Sequence, residues 1–296
     1  MGISEKLVRH VAFELLKDAA TRLPPRVERL LRAAYKKERH PAGKAQLRTI
    51  LDNLDAAREG CRLICQDTGL PLFFINLGLR AGVKCDLGKA LKDATLKASR
   101  AVPYRPNVIH PLRKENPGTN VGWGMPYIYY TVEPESEWVE ITAFPKGFGA
   151  EAKSGFAYVT TDKPVAEAVI KCVLDNICLA LGEPCPPVII GVGLGGTADI
   201  AMSLAKRALV RQPLGGHHRD PEVSALETHL LEAVNRTGIG PMAVGGDTTA
   251  LAVHVEICGT HTAGLPVAIN FQCWAARHST ARIHRDGRVE YLTHPR

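Results

Sequence analysis

The chain has 296 residues, 45% of them hydrophobic, and a formal net charge of +7 at pH 7. That length holds one large domain or two modest ones, and no apolar run approaches membrane-spanning length, so no membrane role is expected. The positive charge suits an acidic substrate or partner and would suit nucleic acid too, but the basic residues are spread along helices without interleaved aromatics, so no nucleic-acid role is expected.

The first residues lead into an amphipathic pattern rather than a signal peptide, so the expected setting is cytoplasmic. Ile3, Leu7, Val8, Val11, Leu15 and Leu16 fall on one helical stripe through Ala20. Pro24-Pro25 opens a second helix to about Arg39, and a third runs from Ala42 to about Gly60. Residues 1–60 therefore read as a helical lead-in, and 61–296 as an α/β core within a single domain, 1–296. The expected class is α/β, a mixed sheet flanked by helices. Cys65-Gln66-Asp67-Thr68-Gly69 precedes a buried strand at Leu72 to Leu79, and Asp86 to Ala101 is helical. The segment from Pro103 to Pro126 carries Arg105, Asn107, His110, Arg113, Lys114, Asn116 and Asn120 without helical or strand period. A polar irregular stretch of that length inside a compact domain is usually functional. Tyr127–Val132 and Trp138–Phe144 read as an antiparallel pair of strands, followed by the glycine turn Lys146-Gly147-Phe148-Gly149-Ala150-Glu151. A helix is expected from Val165 to Leu181, with Cys172 and Cys178 in its core.

Cys185-Pro186-Pro187 then enters an apolar strand, Val188 to Val192. The glycine turn Gly193 to Gly196 follows, and Thr197 is placed to cap the next helix. A cysteine on the entry and bare amides at a helix N-terminus are expected to face one crevice, beside an anion site. Gly191, Gly193 and Gly196 also match the dinucleotide fingerprint Gly-x-Gly-x-x-Gly. That fingerprint requires a following strand ending in an acidic residue, whereas the helix here runs into the loop from Arg211 to His218. A helix from Pro221 to Asn235, a strand opened by Gly245-Gly246-Asp247, another at Pro266 to Phe271 and a closing hairpin around Gly287 complete the reading.

The eight cysteines include no Cys-x-x-Cys pair, which argues against zinc ribbons and thioredoxin-like chemistry. Cys65, Cys185 and Cys273 end apolar segments beside turns or polar groups. Cys61, Cys172 and Cys178 read as core or helix residues and Cys85 as a loop residue, with Cys258 left open. Three thiolates from distant segments suit an iron–sulfur cluster better than structural zinc, which normally takes four protein ligands.

Four stretches in this order resemble class I fumarate hydratases and the α subunit of L(+)-tartrate dehydratase: Cys65-Gln66-Asp67-Thr68-Gly69; Lys146-Gly147-Phe148-Gly149-Ala150-Glu151; Cys185-Pro186-Pro187 with Gly193-Leu194-Gly195-Gly196-Thr197; and His261-Thr262-Ala263-Gly264-Leu265-Pro266-Val267-Ala268 before Cys273. The resemblance implies a 4Fe-4S cluster held by Cys65, Cys185 and Cys273, with one iron not ligated by protein. Cys258 is the alternative third ligand. It implies that Gln66, Arg105, Gly149 and His261 bind a dicarboxylate substrate, with Asp67 and His261 catalytic and Asp67 assisting the base. Gly149-Ala150-Glu151 departs from the Gly-Ser-Glu frequent in such proteins. Single-chain members continue into a second domain carrying further arginines, a lysine and a threonine base, and nothing resembling it follows Arg277. The chain is therefore expected to be the α subunit of a hetero-oligomer with a β subunit, hydrating fumarate reversibly to malate. Dehydration of L(+)-tartrate to oxaloacetate is the alternative, and a non-enzymatic iron–sulfur binding or regulatory protein the reading of a different class.

Overall fold

A computed structural model describes residues 2–60, 62–160 and 164–296; Cys61 lies outside the described residues. Contacts resolve the chain into two units. One comprises Met1–Pro25, Asn53–Phe148 and Arg277–Arg296, the other Arg26–Asp52 and Gly149–Ala276.

In the first unit the N-terminal stripe becomes α1 (Glu5–Thr21), capped by the Ser4 side chain on the Leu7 amide. The element α4 (Leu87–Ala101) is capped likewise by Asp86. Between α1 and α4 the chain passes through α2 (Pro25–Lys37), α3 (Pro41–Glu59) and β1 (Leu70–Gly78), of which the end of α3 and β1 belong to this unit, and β2 (Tyr127–Glu133) and β3 (Trp138–Lys146) follow α4. The tail supplies β8 (Ser279–His284) and β9 (Val289–Tyr291), the hairpin expected around Gly287. The sheet order is β2-β1-β3-β8-β9. Strand alternation sends Phe73, Ile75, Val139, Ile141, Ala281 and Ile283 into one core with α1 and α4. On the opposite face Phe74 stacks on Tyr129 at 4.9 Å. The expected pairing of β2 with β3 is corrected: β1 lies between them, parallel to β2 and antiparallel to β3. The physical reason is burial. The middle of β1 is buried on both faces and takes a central place, while the alternately exposed β2 sits at the edge.

The second unit holds α2 and the first part of α3, then α5 (Phe148–Glu151, from Gly149), β4 (Gly155–Val159), α6 (Val165–Ala180), β5 (Val188–Leu194), α7 (Ala198–Ala208), α8 (Pro221–Asn235), β6 (Ala250–Ile257) and β7 (Leu265–Gln272). The strand β4, absent from the sequence reading, is a short edge in the order β4-β7-β5-β6. Val188, Ile190, Val192 and Leu194 of β5 share a core with Val169, Val173 and Ile177 of α6 and Leu230 and Val234 of α8. The Val169-Val173-Ile177 stripe leaves half-buried Cys172 packed against the core as expected, whereas Cys178 is exposed and is not the core residue expected. Cys178 follows Ile177 by one residue, about 100° round the helix, which carries it off the buried stripe.

The other face of β5 carries glycine for a packing reason. A Cβ on Gly191 would lie 2.0 Å from the Ala205 carbonyl oxygen, and one on Gly193 equally close to that of Ala201. Helix α7 thus rests on bare strand backbone, and these glycines make that approach rather than cradle a nucleotide. Helical lead-in, mixed sheets and flanking helices match the class expected, and among the described residues no helix is long and apolar enough to cross a membrane.

Two outcomes follow for stability. Gly191→Ala should cost about 3 kcal/mol or abolish folding, because backbone rather than a side chain must yield. Gly259→Ala, with open space around its Cβ, should stay within about 0.5 kcal/mol in urea unfolding. Equal stability of the two variants would refute the close-packing account. The second concerns His254, fully buried, whose Nε2 accepts the Gly215 amide at 2.9 Å while Nδ1 donates to the Ala208 carbonyl at 2.8 Å. Burial first, then the Arg211 charge, pushes its pKa down to about 4, against the pull of the Ala208 contact and Glu227. The unfolded chain therefore takes up a proton below about pH 6.5 that the folded chain refuses, and stability falls with acidification. Between pH 7 and 5 this single group should remove roughly 2 kcal/mol. His254→Gln should show a correspondingly shallower fall when urea midpoints are compared at the two pH values, and an unaltered pH slope would refute the assignment.

Candidate active site

In the first unit the stretch after Cys65 forms a turn fixed from several sides. Asp67 Oδ1 accepts the Gly69 amide at 2.9 Å, and Oδ2 accepts the Phe148 amide at 2.8 Å. The buried Arg277, arriving with the tail, donates from Nη2 to the Asp67 carbonyl. Gly69 has φ +78°, and a Cβ there would lie 2.7–2.8 Å from the backbone of Pro145 and Lys146, so the turn can be made only by glycine. Thr68, 1% exposed, places its hydroxyl under the irregular loop, accepting the Arg105 amide at 3.1 Å and Asn107 Nδ2 at 3.3 Å. Asn120, also 1% exposed, accepts the Asn107 amide at 3.0 Å and donates to the Arg105 carbonyl at 3.1 Å. Two buried polar side chains therefore fix the backbone of Arg105 on both sides, which leaves the guanidinium to project from a set origin.

These elements enclose a pocket of about 630 Å³ whose lining includes Asp67, Arg105, Asn107, Lys114, Lys146 and Phe148. Three cations and one carboxylate give it a positive field. Asp67 and Arg105 are together as expected; Gln66 is exposed and is not among the lining residues. Of the other two cations of the irregular loop, Lys114 lines the pocket, whereas Arg113 is paired with Glu115 at 2.8 Å. Sequence reasoning missed the parts played by Thr68, Lys146 and Arg277. Lys146 carried no signal of its own, because its burial comes from strand pairing.

In the second unit β5 and β7 set the positions of the remaining cysteines. Cys273 follows Gln272, which pairs with Ile189 at the start of β5, and Cys185 lies just before that start. The Trp274 amide donates to the Cys185 carbonyl at 3.1 Å, so the two cysteines share one end of the sheet. Both are half-buried, and no described cysteine is in a disulfide. Cys185 has φ +55°, a left-handed conformation that is uncommon and strained for a side-chain-bearing residue. Next to it the Met242 amide donates to the Pro186 carbonyl at 2.9 Å, and Met242 and Ala243 are left-handed as well. Strain of this kind gathers where structure serves function.

Cys258 and His261 lie elsewhere. The Cys258 amide bonds to the Leu194 carbonyl at the far end of β5, five residues and about 17 Å beyond Ile189. His261 sits in the exposed turn between β6 and β7 at that same far end, with Nδ1 accepting the Ala263 amide. The structure does not bring His261 or Cys258 to Cys185 and Cys273. The N-terminus of α7 is also at the far end, so the expected crevice shared by Cys185 and that helix end is corrected. A seven-residue extended strand separates them by roughly 20 Å. Asp199 already occupies the helix end, its carboxyl held below the usual range by the Thr197 hydroxyl and nearby amides. Gly149, the second residue of α5, lies beside the Glu183 carbonyl. Glu151 in the same turn is held by Lys206 and, at 3.0 Å, by Asn270.

Among the described residues no three His, Cys, Asp or Glu side chains converge where one metal ion would sit. A cubane is ligated at separate irons, so its thiolates need not converge on a point. Cys185 and Cys273 at one strained sheet end of the second unit, and separately Cys65 before the Asp67 turn of the first, are soft donors of the type such clusters take.

The fumarate hydratase (Fumerase) family profile matches residues 9–282. Over 285 residues the chain is 43% identical to a Methanocaldococcus jannaschii protein named "Putative L(+)-tartrate dehydratase subunit alpha", covering 95% of this chain and 99% of the other. Over 277 residues it is 34% identical to the L(+)-tartrate dehydratase subunit alpha of Escherichia coli strain UTI89, covering 94% and 91%. The order of motifs, the extent of the match and these identities make the chain a member of the fumarate hydratase (Fumerase) family.

Proposed function

We propose that the chain is the α subunit of a cytoplasmic iron–sulfur hydro-lyase that interconverts fumarate and malate, working with a β subunit. The observation that carries this reading is the positive pocket holding Asp67 and Arg105, in a chain of the fumarate hydratase (Fumerase) family. Cys65, Cys185 and Cys273 would hold a 4Fe-4S cluster. When bound, such a cluster supplies a Lewis acid for a substrate oxygen.

The chain's own residues bind and orient. Arg105 offers a planar fork to a carboxylate, which fixes a flat diacid more firmly than a point charge does. Asp67, with both oxygens engaged by backbone amides, keeps one orientation and presents its remaining lone pairs to the group that carries the proton. The partner's contribution is the base that moves the carbon-bound proton. Dehydration of L(+)-tartrate is the second reading, favoured by the names of the two relatives. It is the same elimination of water from a 2-hydroxy diacid, the product enol relaxing to oxaloacetate.

Iron and sulfide analysis after anaerobic reconstitution should give about four irons per chain. Cys65→Ser, Cys185→Ser and Cys273→Ser should lose them, whereas Cys258→Ser and Cys178→Ser should not. Full iron in Cys273→Ser with loss in Cys258→Ser would overturn the ligand assignment. The chain reconstituted with its β subunit should turn over malate faster than L(+)-tartrate, and the chain alone should be silent. Preference for tartrate selects the second reading, and inertness of the loaded pair toward both rejects the enzyme.

A further inference from the structure

We propose that Glu38 is a positioning residue for the cluster, its buried carboxylate fixing the loop that seats Cys185. This deepens the hydro-lyase reading and rests on its assignment of Cys185 as a ligand. Glu38 follows the last turn of α2, its amide bonded to the Ala34 carbonyl, and it is 1% exposed. Backbone amides hold its carboxylate. Oε1 accepts the His40 amide at 3.1 Å and the Asp247 amide at 2.9 Å. Oε2 accepts the Asp247 amide at 3.0 Å and the Thr248 amide at 3.1 Å. On the outer side Arg39 forks onto the Asp247 carboxylate at 2.7 and 2.8 Å. Burying a carboxylate strips its hydration, and the amides offset that loss only while the loop keeps this one shape.

The loop in turn holds the cysteine. Thr249 closes its neck: the hydroxyl accepts the Gly240 amide at 3.0 Å, and the carbonyl accepts the Val188 amide at 2.9 Å, where β5 begins. Between these two ends the Met242 amide reaches the Pro186 carbonyl, one residue past Cys185. Ala243 reaches further back, since a Cβ on Gly182 would lie 2.9 Å from its own Cβ. Leu181, Cys185, Met242 and Ala243 are all left-handed, with φ of +46°, +55°, +51° and +59°. Strained backbone of this kind persists only where its surroundings over-determine it. Here the surroundings are the loop, and Glu38 is packed into it: a Cβ on Gly246 would lie 2.9–3.0 Å from the carboxylate. Cys258, at the far end of the same sheet, stands outside this chain of contacts and serves as an internal reference.

The test uses the full chain paired with its β subunit, before and after cluster reconstitution. Before it, iodoacetamide labelling is followed at each cysteine by peptide mass spectrometry. After it, iron release to a ferrous chelator is timed. Glu38→Gln puts an N–H donor against a backbone amide in either orientation, so the loop opens more often. Labelling of Cys185 relative to Cys258 should rise roughly tenfold, and iron release by a similar factor. Asp220→Ala removes the α8 N-cap, which lies with Glu256 and Ile257 at the far end of β6. It should lower the urea midpoint yet leave both readouts within about twofold. Wild-type behaviour of Glu38→Gln in either measurement, or an equal rise in Asp220→Ala, would overturn the proposal while leaving the hydro-lyase reading intact. If Glu38→Gln does not fold by thermal melting, Glu38→Asp, one methylene shorter, replaces it under the same criteria. A wild-type complex that takes up no iron rejects the cluster reading and the proposal with it.

Discussion

The second unit depends on one contact: α7 lying on β5 where β5 has no side chains. The carbonyl oxygens of Ala201 and Ala205 stand where Cβ atoms of Gly193 and Gly191 would be. Because strand residues alternate, the intervening Val188, Ile190 and Val192 are free to anchor α6 and α8 on the opposite face. The strand is thus pinned from both sides. Its two ends are separated by the length of an extended strand, and the chemistry sorts by end: Cys185 with Cys273 at one, Cys258, His261 and the α7 terminus at the other.

The first unit solves a different problem, how to present several charges of one sign in a small space. Here buried neutral groups do the holding. Thr68 and Asn120 bind the backbone around Arg105, so the guanidinium itself need not be tied down. Backbone amides rather than cations hold the Asp67 carboxylate. The whole-chain charge of +7 has the sign that draws anions toward the pocket.

Elements with strong local period were legible from sequence: α1, α4, α8, β5, β7 and the tail hairpin all lie within a few residues of expectation. Hydrophobic spacing is a property of neighbours along the chain, and these elements declare it. What failed was non-local. The pairing of β2 with β3 looked natural because they are consecutive, yet β1 intervenes, and nothing in either strand's own pattern encodes that. Cys185 and the α7 terminus are close in sequence, but an extended strand carries them apart. Cys185 and Cys273, distant in sequence, share a sheet end because β7 runs back along β5. The candidate pocket was half legible: Arg105 and Asp67 stand in recognisable stretches, whereas Lys146 gains its place from register and Arg277 from the path of the tail.

That path has a temporal consequence. The Asp67 turn is closed by Phe148, 81 positions later, and by Arg277, 210 positions later. Closing loops of that size is slow relative to local helix formation, and a growing chain emerges N-terminal end first. On the ribosome, Asp67 and Arg105 would be made early and wait without their final support until Arg277 has been synthesised. Maturation of the pocket is in this sense a late event, and a nascent chain interrupted anywhere before Arg277 would hold most of the pocket's residues without the guanidinium that fixes the turn at its centre.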